Sequence, residues 1–145
     1  MLLFPLLSYC FIIAMLELRS IKNKLILLHN LLYGNHYQVL LFTESWLQNG
    51  FTNGLLDPRN LYNIFRSDRI DGYGGVIIFV SRSLKSYLKC VYSADPCSLN
   101  EDNSTRMAYC ECLVCCIEYY NISFVVCCFY CPPDITFDNF RDLFA

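Results

Sequence analysis

The sequence predicts one α/β domain in which strands outnumber helices. Three observations carry that reading. A helical pattern lies between two apolar, strand-like runs near the start. Five later stretches are rich in β-branched, aromatic and cysteine residues. A length of 145 residues fits a single domain, 1–145.

The elements follow in order. Residues Met1–Leu16 carry no charge. They fall short of the ~20 residues a membrane span needs. They also lack the basic start and small-residue cleavage site of a signal peptide. A buried first strand over Tyr9–Leu16 is therefore expected, in an intracellular protein with no membrane partner. Ser20 suits a helix N-cap. Ile21, Leu25, Leu28 and Leu32 then recur on one helical face, and Gly34-Asn35 stops the helix. Gln38–Thr43 is an apolar run, read as a buried parallel strand. Residues 44–60 read as a loop, and Tyr62–Arg66 as a short strand. Asp71–Gly75 is a glycine-rich turn leading into a strand at Val76–Val80. Tyr87–Tyr92 is a further strand, and Ser93–Arg106 a polar surface loop. Cys110–Tyr119 and Ile122–Tyr130 form a hairpin around Tyr120-Asn121. Pro132-Pro133 ends it, and Phe137–Phe144 begins a helix capped by Asp134 or Thr136.

Hydrophobic residues make up 55 % of the chain and charged residues 17 %, with a net charge of −2. Disorder, collagen and coiled coil are excluded. The charge balance does not indicate a basic nucleic-acid-binding domain. Of ten cysteines, seven fall between Cys110 and Cys131. Cys112-x-x-Cys115 and Cys128-x-x-Cys131 have the spacing of a zinc ribbon. Their neighbours are β-formers, no glycine supplies a knuckle, and strand residues three apart face opposite ways. Buried thiols are the leading expectation. A non-enzymatic zinc-binding or interaction module is the alternative, and a disulfide-bonded secreted protein the third reading. The glycosylation sequons at Asn103 and Asn121 matter only under that third reading.

Four motifs then occur in a fixed order. They are Arg19-Ser20-Ile21-Lys22-Asn23-Lys24, Thr43-Glu44-Ser45-Trp46-Leu47, and Tyr62-x-x-Phe65-Arg66-x-Asp68-Arg69 with Tyr73-Gly74-Gly75-Val76-x-Ile78-Phe79-Val80. The last is Tyr130-Cys131-Pro132-Pro133. Together they resemble the endonuclease domain of non-LTR retrotransposons, in the endonuclease/exonuclease/phosphatase superfamily. The resemblance implies a four-layer α/β sandwich. It implies phosphodiester cleavage dependent on Mg2+ or Mn2+, DNA as the partner, and nicking of target DNA by a reverse-transcriptase-associated enzyme. Glu44 matches the family's metal-binding glutamate and Tyr130 its active-site tyrosine. The chemistry is consistent: a hard cation wants oxygen ligands, and a phenol donates to an oxyanion. Glu44 lies just past a buried parallel strand, where ligands bind in open α/β sheets.

The sequence also departs from the family. Glu17 stands where the family has an Asn; ionised, it can bind metal but cannot donate a hydrogen bond. Cys131 replaces an Arg, losing a planar two-pronged donor. No Gly-Asp and no Asp-His dipeptide occurs, so the family's later catalytic motifs are absent. The expectation is a partial sandwich lacking its C-terminal part, catalytically incomplete, with one face of its sheet uncovered. Gly74-Gly75 is read as a tight turn rather than a phosphate cradle. Arg66, Asp68 and Arg69 are read as a structural charge cluster. Lys22, Lys24, Arg59, Arg66 and Arg69 are candidate DNA-backbone contacts or solvated faces. His29 and His36 have no catalytic partner in sequence.

Overall fold

A computed structural model describes residues 11–34, 36–48, 50–69, 72–93 and 111–131. Strand β1 (Ile13–Glu17), helix α1 (Leu25–Gly34) and strand β2 (Val39–Thr43) form the opening unit, and β1 and β2 run parallel. A short helix α2 (Asn53–Leu56) follows, then strands β3 (Tyr62–Ser67) and β4 (Val76–Ser81). β4 pairs antiparallel with both β2 and β3, so the first sheet has the order β1-β2-β4-β3. Strands β5 (Lys85–Ser93), β6 (Glu111–Tyr119) and β7 (Ile122–Tyr130) form a separate antiparallel sheet in the order β5-β6-β7.

Side-chain alternation on β2 and β4 explains the layering. Leu40, Phe42, Ile77 and Phe79 face helix α1 and pack with Ile21, Leu28, Leu32 and Leu56. Val39, Leu41, Val76, Ile78 and Val80 point the other way, onto Leu113, Cys115, Ile117 and Cys128 of the second sheet. All five residues of β2 are buried because both faces are covered. Helix, first sheet and second sheet thus make three layers.

This corrects one expectation. The strands from Lys85 onward build the second sheet, and the first sheet's second face is covered. Other differences are local. The first strand runs over Ile13–Glu17 rather than Tyr9–Leu16, whose first two residues lie outside the described set. Ser20 is not a side-chain cap. Its φ is 71°, its hydroxyl caps nothing, and Ile21–Lys24 is a 3-10 turn before the α-helix. There the Lys24 ammonium donates to the carbonyls of Leu18 and Arg19, giving partners to backbone oxygens at the turn's start. The 44–60 segment contains α2, too short to show a period and pinned by the fully buried Leu56. The helix expected at Phe137–Phe144, residue Cys110, and most of the 93–106 loop lie outside the described residues.

Among the described residues, no helix is long and apolar enough to cross a membrane.

Candidate active site

The strand polarities bring several sequence-predicted residues to one end of the two sheets. β1 and β2 run toward this end and finish in Glu17 and Thr43, which are register partners. Ser67 closes β3 opposite Val76, the first residue of β4. In the second sheet, Tyr130 ends β7 opposite Glu111, the first residue of β6. The sheets are joined at this same end, because the Gly75 amide donates to the Glu111 carboxylate at 2.7 Å.

Glu44 is the first residue beyond β2 and is half-buried. Its φ of 57° is left-handed, as are those of Trp46 (51°), Ser20 (71°) and Arg19 (36°). Such backbone is rare outside glycine, costs about 1–3 kcal/mol per residue, and concentrates at functional sites. Hydrogen bonds hold it here from two sides. On one side, the amides of Ser20 and Ile21 donate to the carbonyls of Glu44 and Ser45 at 3.0 and 2.9 Å. On the other, the amides of Ser45 and Trp46 donate to the carbonyls of Gly75 and Gly74 at 3.1 and 2.8 Å. The Trp46 indole N–H donates to Oε2 of Glu44. That leaves Oε1 as the oxygen this contact does not occupy.

The two glycines are required by this geometry. Both have positive φ, 80° at Gly74 and 85° at Gly75. A Cβ on Gly75 would meet Ser45 Oγ at 2.5 Å, and one on Gly74 would meet Arg69 Cδ at 2.7 Å. The pair makes a turn and a close approach, as the sequence suggested, and no helix follows it.

Glu17 has been drawn aside. Its Oε1 accepts from Arg19 Nε at 3.0 Å, and both side chains are largely exposed. Tyr130 is half-buried against the core between the sheets. Arg66 binds Asp68, the Phe51 carbonyl and Asn53, which makes it structural, while Arg69 faces Glu111. Of the other candidate DNA contacts, Lys24 is spent on backbone carbonyls and Arg59 sits 4.3 Å over the Tyr33 ring. Exposed Lys22 lines an open cleft of about 450 Å³ with Trp46, Gln48 and Tyr73. His29 stacks on Tyr33 and contacts the Leu55 carbonyl.

A hard cation fits this donor set in one respect. Mg2+ keeps several waters and is commonly held by one or two carboxylates. Glu44 supplies one, and Glu17 stands on the neighbouring strand end. Among the described residues, no three of His, Cys, Asp and Glu cluster to hold a metal.

The zinc-like cysteine spacing does not converge in space. Cys115 and Cys128 point into the core between the sheets, and Cys128 donates to the Phe42 carbonyl. Cys112 lies on the opposite face of β6 with its sulfur 3.2 Å from that of Cys127. Burial pushes the thiols of Cys112 and Cys128 up to about 12 and that of Cys115 up to about 11, so they stay protonated.

Sequence reading missed Glu111. Its signal was present: Glu111 shares the inward parity of Leu113, Cys115 and Ile117, so an acid opens the buried face of a strand.

No protein-family model and no curated protein matches the sequence. Solved structures do match. The endonuclease domain of TRAS1, a telomere-specific non-LTR retrotransposon, aligns with a TM-score of 0.53 and 14 % identity over 91 % of this chain. The fold of this chain is similar to part of that endonuclease domain. A 3′ phosphatase, NExo from Neisseria, solved with a product DNA hairpin, aligns at a TM-score of 0.49 and 21 % identity over 78 % of this chain. The chain spans 51 % of the retrotransposon domain and 39 % of the phosphatase.

Proposed function

We propose that these residues form the cation-holding part of a divalent-metal-dependent phosphodiesterase acting on DNA. The observation that carries this reading is Glu44, an acid in strained left-handed backbone at the ends of two parallel strands, hydrogen-bonded in place from both sides. The likeness of fold to a retrotransposon endonuclease domain supports it. A bound Mg2+ or Mn2+ would polarise a phosphoryl oxygen and offset developing negative charge. Glu44 is the ligand, one of its oxygens fixed by the Trp46 indole. Tyr130 donates its phenolic proton in a hydrogen bond to a phosphoryl oxygen. Glu17, turned toward Arg19, is a second and weaker ligand.

The sequence contains no Asp-His dipeptide of the kind that supplies the water-activating base in the family it resembles. General-base catalysis contributes about 10²–10⁴-fold where it operates. These residues alone therefore bind the cation without useful turnover. The test uses the chain's single tryptophan, Trp46. Mn2+ is expected to quench Trp46 emission saturably in the wild type and not in Glu44→Gln, while supercoiled DNA stays intact with either protein. Equal quenching in Glu44→Gln would refute the ligand, and Mg2+-dependent nicking abolished by Glu44→Ala would refute the inactivity.

A further inference from the structure

We infer that Glu111 is a positioning residue for the Glu44 carboxylate, acting through the Gly74–Gly75 turn. The inference rests on the reading of Glu44 as a cation ligand. Glu111 is fully buried, although acids are almost never so placed unless paired. Its Oε2 accepts from the Gly75 amide at 2.7 Å, and its Oε1 faces Arg69 Nε at 3.8 Å.

The consequences run outward from that carboxylate. The Gly75 amide is bonded to Glu111, and the Gly75 carbonyl is bonded to the Ser45 amide, the next residue after Glu44. One peptide step away, the Gly74 carbonyl receives the Trp46 amide, and the Trp46 ring in turn donates to Glu44. The turn is closely enclosed by these groups: a Cβ on Gly74 would lie 2.7 Å from Arg69 and 3.2 Å from Glu111. One buried acid therefore sets the height of the turn, and the turn sets the backbone on which Glu44 stands. Glu111 is also the cross-strand partner of Tyr130, so the same residue ties together the two strand ends that carry the proposed chemistry. Groups that orient a metal ligand commonly change affinity 10–100-fold when altered.

The experiment titrates Mn2+ against Trp46 emission in the full chain, with melting curves recorded alongside. Glu111→Gln keeps the shape and an acceptor but loses the charge facing Arg69. The paired variant Arg69→Met with Glu111→Leu replaces the ion pair by apolar groups and removes the acceptor for the Gly75 amide. Both are expected to remain folded, with Mn2+ affinity unchanged or down a few-fold in the first and down about 10-fold or more in the second. Wild-type affinity in the folded paired variant would overturn the inference, leaving Glu111 a stabilising residue only. Absence of Mn2+ quenching in the wild type would refute the cation reading instead. The positioning is then read from metal-free Trp46: a shifted emission maximum and altered acrylamide quenching in the paired variant support it, and an unchanged spectrum overturns it.

Discussion

At the end of the first sheet, polar side chains are placed by backbone. Glu44 and Ser45 are gripped through their amides and carbonyls by the Ser20–Ile21 segment and the Gly74–Gly75 turn. In the second sheet the reactive residue type is cysteine, and it is placed by packing. Cys115 and Cys128 fill the core between the sheets, in positions Val or Ile would suit. The difference teaches that abundance of a reactive residue is a weak sign of chemistry. A single acid in costly backbone, surrounded by directed hydrogen bonds, is a stronger one.

The contrast yields predictions of decreasing size. The first concerns pH. The folded thiols of Cys112, Cys115 and Cys128 lie above the ordinary thiol range because burial disfavours the thiolate. The unfolded chain loses these protons first, so the contribution is complete below about pH 9 and is lost as pH rises toward 11–12. Melting temperatures should hold up to about pH 9 and fall from there to pH 10.5, and replacing Cys115 and Cys128 together by Val should reduce that fall.

Gly75→Ala probes the other region. Positive φ together with a Cβ against Ser45 should cost about 3 kcal/mol, measurable by urea unfolding. The same change should weaken Mn2+ quenching of Trp46. A loss of stability with unchanged quenching would separate the turn from the site. Smaller still, Cys128→Ser places a hydroxyl in an apolar core, offset in part by the Phe42 carbonyl to which the thiol donates, and should cost about 1 kcal/mol. Cys127→Ser, on an exposed position of the same strand, should stay within about 0.5 kcal/mol.

Much of this arrangement was legible in the sequence. The apolar run Gln38–Thr43 marked a buried strand, realised as Val39–Thr43, and Tyr120-Asn121 marked the hairpin turn. Glu44 and Tyr130 were placed at strand ends, and the structure puts both at the same end of the molecule. The second sheet was not legible as a separate layer, because period-two alternation names a strand's faces without naming what covers them. Helix α2 escaped because four residues show no period. Ser20 misled because its composition suits a cap while its backbone is committed to Glu44. Glu111 escaped because its partners, Gly75 and Arg69, are distant in sequence.

The most direct test of the central claim is the amide spectrum of isotope-labelled protein titrated with Mn2+, whose unpaired electrons broaden nearby signals. Broadening is expected to begin at Glu44, Trp46, Gly75 and Tyr130 and to leave Tyr87 and Cys90 on β5 sharp. Broadening that begins on the cysteine strands, or that persists undiminished at Trp46 in Glu44→Gln, would contradict it.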